Sequence, residues 1–122
     1  MNQSFGRKEK LKSKIFIGKL FSEGKTLKKF PLKLIYTEIE TSENLNQIGV
    51  SVPKKNFKLA VKRNYLKRLL RESYRKNKYI VSSSEKQFAM MFIYLGKETL
   101  ELSVIEEQMQ KLLAEFVTKE KL

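Results

Sequence analysis

The stretch AVKRNYLKRLLRESYRKNK, Ala60 to Lys78, decides how the rest of the chain is read. Stepped at about 100° per residue, Arg63, Asn64, Lys67, Arg68, Arg71 and Arg75 fall within an arc of about 140°. Five cations therefore share one face of a helix. Val61, Tyr65, Leu66, Leu69 and Leu70 fall mainly on the other side, where they can pack on a sheet, while Lys62 and Lys76 interrupt its edge and snorkel. Like charges three and four residues apart repel by a few tenths of a kcal/mol each. Something anionic is expected opposite this helix.

The rest of the chain narrows what that partner is. With 122 residues there is room for one ordinary domain, residues 1–122. No apolar run reaches the roughly 18 to 20 residues that span a bilayer, and MNQSFGRKEK lacks a signal-like apolar segment, so a cytoplasmic protein is expected. The chain has no cysteine and no histidine, which removes thiolate zinc, the commonest metal ligand and the usual neutral-pH base. A hydrolytic site or metal site borne by the protein is not expected.

Net charge is +13, and it is segregated. Residues 54–78 hold eleven Lys or Arg against Glu72 alone, and residues 1–33 hold ten against Glu9 and Glu23. The other two segments are mildly acidic. The bland reading of the helix is a solvated charged face, as in ordinary Lys/Glu-mixed helices. Here the face is nearly single-signed and mostly arginine, whose planar fork suits bidentate phosphate contact. On this evidence the partner is RNA, DNA or an anionic membrane.

Periodicity supplies the order of elements. Leu11, Ile15, Phe16, Leu20 and Phe21 recur at helical spacing, with Gly24 as a stop. PLKLIYTEIE places Leu32, Leu34 and Tyr36 on one strand face, and IGVSV places Ile48, Val50 and Val52 on another, with TSENLN between them as turn material. These two strands read as a hairpin. Pro53 ends the second, and the cationic helix is expected from about Phe57. QFAMMFIYL, Gln87 to Leu95, is apolar at nearly every position; a strand covered on both faces fits best, and a short buried helix is the alternative. Ser103 with Glu106 reads as a capping box for a final helix with the stripe Ile105, Met109, Leu112, Leu113, Phe116 and Val117. The order is helix, strands, helix, strand, helix, an α+β chain. SSSEK, Ser82 to Lys86, is a loop, and the first residues and the final KEKL, lacking an apolar anchor, are expected to be mobile.

GVSVPKKNFKLAVKRNYLKRLLRESYR, Gly49 to Arg75, resembles the signature of the bacterial ribonuclease P protein component, with its paired lysines, Ala-Val, Arg-Asn, Lys-Arg and Arg-Glu. KLFSEGK near Leu20 and the strand LIYT ending near Tyr36 fit the family's N-terminal half, and the late strand and last helix fit its end. The resemblance implies a two-layer α/β sandwich like the second domain of a small-subunit ribosomal protein, with a left-handed crossover between parallel strands, against the usual right-handed rule. It implies the accessory subunit of an endoribonuclease that removes the 5′ leader of precursor tRNA, with chemistry by magnesium ions held on the catalytic RNA and substrate. The implied partners are those two RNAs, with neither DNA nor a membrane involved.

Carried over residue by residue, the family's RNA-subunit motif falls on Lys62, Arg63, Asn64, Lys67, Arg68 and Arg71, with Lys54 and Lys55 just before it; Arg75 joins them on the wheel. The family's second surface is a cleft between the sheet and the first helix that receives the single-stranded leader. Its aromatic positions match Phe21 and Tyr36, and a further one falls on Ile17 or Phe16. Ordinary core packing is the competing reading for Phe21 and Tyr36.

This chain departs from the pattern in places. Tyr65 stands where most members have a second arginine. Between the paired lysines and Ala60 it has one residue more than usual and no glycine. Two rivals remain: a general RNA-binding or ribosomal relative without a working leader cleft, and an interfacial membrane binder, which would need bulky apolar residues exposed opposite the cations, on the face the core needs.

Overall fold

A computed structural model describes residues 10–40, 46–81 and 86–122. The elements are α1 (Lys14–Glu23), β1 (Lys25–Lys29), β2 (Leu32–Ile39), β3 (Gln47–Ser51), α2 (Ala60–Asn77), a single 3-10 turn (Lys78–Ile80), β4 (Gln87–Tyr94) and α3 (Leu102–Glu120). The strands form one sheet in the order β1-β2-β4-β3. This is the mixed α+β sandwich expected, with the helices placed by the two faces of its central strands.

The expected hairpin between β2 and β3 does not form. β4 lies between them, antiparallel to β2 and parallel to β3. An apolar strand gains most from the centre of a sheet, where both of its edges are paired. Parallel partners need a long connection, and α2 supplies it between β3 and β4. The true hairpin joins β2 to β1, KTLKK, around the cis Phe30-Pro31 bond. Sequence reading missed β1 because it is a lysine-rich edge strand with one buried side chain, Leu27.

Alternation along β2 and β4 sorts the core. Leu32, Leu34 and Tyr36 join Phe88, Met90, Phe92 and Tyr94 under α2 and α3. The α3 stripe lands as expected, with Ile105, Met109, Leu112, Leu113 and Phe116 buried and Val117 packed beside them. The other sheet face carries Ile35, Ile39, Ala89 and Met91 and meets α1 through Phe16 and Leu20. β4 is therefore a strand, fully covered on one face; on the other Ala89 is buried while Met91 and Ile93 are half-buried.

Helix boundaries shift for local reasons. α1 starts at Lys14, three residues after Leu11, because the Ser13 side chain caps it by accepting from the Phe16 N–H at 3.3 Å. Leu11 instead runs extended, its N–H donating to the Ile48 carbonyl at 2.9 Å, which covers part of the β3 edge. Gly24 does stop α1, donating to the Leu20 carbonyl. A Cβ there would collide with that oxygen and lie 2.7 Å from Ile35 Cγ2. α2 begins at Ala60, not Phe57, since Phe57 is buried in the core against the Tyr94 ring. The capping box at Ser103 is not made: Leu100 and Leu102 pack on the core and draw the helix start forward, leaving Glu101 as N-cap and Ser103 inside the first turn.

The C-terminal end is tied down, contrary to expectation. Tyr36 Oη donates to Glu120 Oε2 at 2.7 Å, and Lys25 Nζ lies 3.2 Å from the same oxygen. Burial disfavours the Glu120 carboxylate, but these two donors outweigh it and hold the carboxyl below its ordinary range. Burial and then Glu120 push the Tyr36 hydroxyl far above the usual phenol range. The TSENLN turn and the SSSEK loop fall mostly outside the described residues.

Candidate nucleic-acid interface

α2 is anchored by Leu66, Leu69, Leu70 and Tyr74, with Ser73 and Asn77 also buried. That spacing repeats every three to four residues and presses one stripe against the sheet and α3. The Asn77 side chain donates back to the Ser73 carbonyl and accepts from Gln110 of α3 at 3.0 Å, while the buried Ser73 hydroxyl beside it has no hydrogen-bond partner among the described residues. The outer face carries Lys62, Asn64, Arg68 and Arg71, all exposed, with Lys67 half-buried. Lys54 and Lys55 are exposed in the turn before it.

Two of the expected phosphate ligands already have partners. Arg63 Nη1 donates to the carbonyls of Phe57 and Lys58, at 2.7 and 2.8 Å. It braces the longer, glycine-free turn into α2, which explains how the altered spacing is accommodated. Arg75 pairs with Glu72 one turn back, its Nε 3.1 Å from Oε2. The Arg75 hydrogen bonds hold the Glu72 carboxyl below its ordinary range. Arg75 therefore offers less net charge than its neighbours.

Val61 and Tyr65 are not on the packing side. Val61 is 79% exposed and Tyr65 42%, and the Arg68 guanidinium carbon sits 5.7 Å from the Tyr65 ring centroid. The buried stripe of Leu66, Leu69, Leu70, Ser73, Tyr74 and Asn77 is rotated by roughly 60° from the one the apolar count had assigned, which leaves Val61 and Tyr65 outside it.

On the opposite side of the sheet, α1 does not cover everything. Phe16 and Leu20 pack toward the sheet. Ile15 and Lys19 line a depression with Glu38, Ile39 and Glu40. By helical stepping, Ile17 and Phe21 lie on the other flank. On the half-buried remainder of this sheet face the register sets Lys33 beside Ile93 and Ser51, and Ile35 beside Met91 and Gly49, with Leu11 packed on the same cluster. A Cβ on Gly49 would lie 2.9 Å from Met91 Cε, so glycine lets the methionine lie flat across the sheet. Phe21 is 66% exposed. Tyr36 is different: at 1% exposure, edge-on to Phe88 and Phe116, its ring has no face for a base, and core packing is its role. Sequence reading did not single out Lys33, on the face of β2 opposite Leu32, Leu34 and Tyr36, nor Met91 and Ile93, in a strand read as covered on both faces.

Among the described residues no group of His, Cys, Asp and Glu could hold a metal ion, and no helix is long and apolar enough to cross a membrane. Fold and surface together define a basic α+β protein with an exposed cationic helix face. Comparison with known proteins gives the class a name. The sequence model of the Ribonuclease P family matches residues 5–117. A ribonuclease P protein component of Porphyromonas gingivalis is 36% identical over 110 residues, 86% of this chain and 80% of the relative. The solved RNase P protein of Thermotoga maritima superposes with TM-score 0.72 at 26% identity, covering 88% of this chain and 96% of that one. That of Staphylococcus aureus, at 20% identity, shares the fold with TM-score 0.68 over 86% of this chain and 92% of its own. This chain belongs to the ribonuclease P protein component family, proteins of a ribonucleoprotein endoribonuclease that serves tRNA processing.

Proposed function

We propose that this chain binds the catalytic ribonuclease P RNA through α2 and the 5′ leader of precursor tRNA through the surface beside α1, promoting endonucleolytic removal of the leader. The observation that carries it is the single-signed outer face of α2, held outward by the buried leucines behind it. Lys54, Lys55, Lys62, Asn64, Lys67, Arg68 and Arg71 make the RNA-subunit contacts, with Arg75 weakened by Glu72 and Arg63 shaping the turn that presents them. Phe21, Ile17 and the partly exposed flank of Phe16 border the leader path, floored by Ile35, Met91 and Ile93. Stacking on an exposed ring beside cations tolerates any base, as a leader of variable sequence requires.

Both RNAs are polyanions, so a wedge of net charge +13 lowers their repulsion and the magnesium needed for assembly. Magnesium stays on the RNA subunit and substrate, and no step of the chemistry runs through this chain's side chains. The setting is the cytoplasm, where precursor tRNA is processed. The test is cleavage of a 5′-extended precursor tRNA by the cognate RNA subunit at low, near-physiological magnesium. Accurate cleavage should depend on added protein; binding of both RNAs with unchanged cleavage would make the chain an RNA-binding relative serving another complex.

A further inference from the structure

Val61, Tyr65 and Arg68 stand at i, i+4 and i+7 on α2 and so form one solvent-facing stripe. Two of its members are exposed apolar or aromatic groups in the middle of the most basic stretch of the chain. A phosphate-binding face built on charge alone has no use for them, since hydroxyl and cations contact phosphate without a ring. Burial does not explain them either, because Leu66, Leu69 and Leu70 already anchor the helix. The Arg68 guanidinium 5.7 Å from the Tyr65 centroid orients the ring, and the 42% exposure leaves ring surface to solvent. A flat apolar surface framed by cations matches one feature of folded RNA, an unpaired base flanked by phosphates.

We infer that Tyr65 is a stacking platform for an unpaired base of the RNA subunit, with Val61 extending the platform and Arg68 holding the adjacent phosphate. The inference rests on the proposed binding of that RNA through α2. It gives Tyr65 a role different in kind from a cation at the same position: shape-selective contact with little dependence on salt, since stacking releases no counterions.

The test measures equilibrium affinity of the full chain for its cognate ribonuclease P RNA across a salt series, for wild type, Tyr65→Ala, Tyr65→Phe and Tyr65→Arg. Tyr65→Ala should bind roughly 5- to 150-fold more weakly at every salt concentration, with the slope of log affinity against log salt unchanged. Tyr65→Phe should stay within about two-fold of wild type, because stacking does not need the hydroxyl, and Tyr65→Arg should steepen the slope by about 1. Unfolding midpoints should coincide for all four, as the site is exposed. Tyr65→Ala binding as tightly as wild type overturns the inference while leaving RNA binding by α2 intact. A shallower slope in Tyr65→Ala also overturns it, showing that the ring merely holds Arg68. Wild type that fails to bind the RNA removes the parent reading and the inference together.

Discussion

The two faces of the sheet are built from the same strands and end up as different materials. On one, twenty-one buried residues among those described form a continuous core with α2 and α3. On the other, the buried Leu20, Ile39 and Ala89 are joined, among the described residues, by partly buried neighbours beneath the short α1. The first face stores the stability, since burial at about 25 cal/mol per Å² scales with area removed from water. The second leaves Met91 and Ile93 half-open and Phe21 outside, a surface available to a ligand. Thick and thin packing are thus divided by strand parity.

The largest effect expected is from Leu66→Ala, which opens a cavity in the thick core and should lower stability by about 2 to 5 kcal/mol in urea unfolding. Leu20→Ala, in the thin layer where neighbours can collapse, should fall near the low end of that range. Equal losses would erase the contrast between the faces. Next, Arg68→Ala should weaken RNA-subunit binding about ten-fold at moderate salt and reduce the magnitude of the salt slope by about 1, with its unfolding midpoint unmoved. A shifted midpoint would return Arg68 to the structural side.

Phe21→Ala sharpens the comparison on the open face. Its ring is 66% exposed, so stability should hold while affinity for leader-bearing precursor tRNA drops by about 1 to 3 kcal/mol and affinity for leaderless tRNA does not. Equal affinity changes for the two substrates would place the leader elsewhere.

The smallest effect concerns Glu120. Its folded carboxyl titrates below the ordinary value of 4.5, so its contribution is present above that pH and is lost as pH falls through the lowered value. The stability gap between wild type and Glu120→Gln should therefore shrink on acidification below about pH 4.5. A gap constant from pH 7 to 3 would show that the charge on Glu120 does not hold the α3 end.

What was legible in the chain was whatever local chemistry dictates. The α3 stripe, the strand face of Leu32, Leu34 and Tyr36, the apolar β4 and the stop at Gly24 all follow from period, apolarity or the absence of a side chain. Lys67, Arg68 and Arg71 were found outward because the leucines opposite them are unambiguous. Tyr65 was misplaced because an aromatic residue in an amphipathic helix ordinarily belongs to the core, and no local rule says that the buried stripe will instead run through Ser73, Tyr74 and Asn77. Tyr36 was matched to a base-stacking position only through the family resemblance, with core packing as the competing reading, and its burial under the helices favours packing.

By itself, the sequence determined that this protein is a basic α+β chain with one cationic helix and no histidine or cysteine for chemistry, since composition and periodicity are properties of neighbours along the chain. Tertiary structure alone decided that β4 parts β2 from β3, that Arg63 is spent on the turn before α2, and that Met91 and Ile93 stay half-open. Those outcomes depend on which distant surfaces compete for the same burial, and that competition is resolved only when the sheet and its helices pack together.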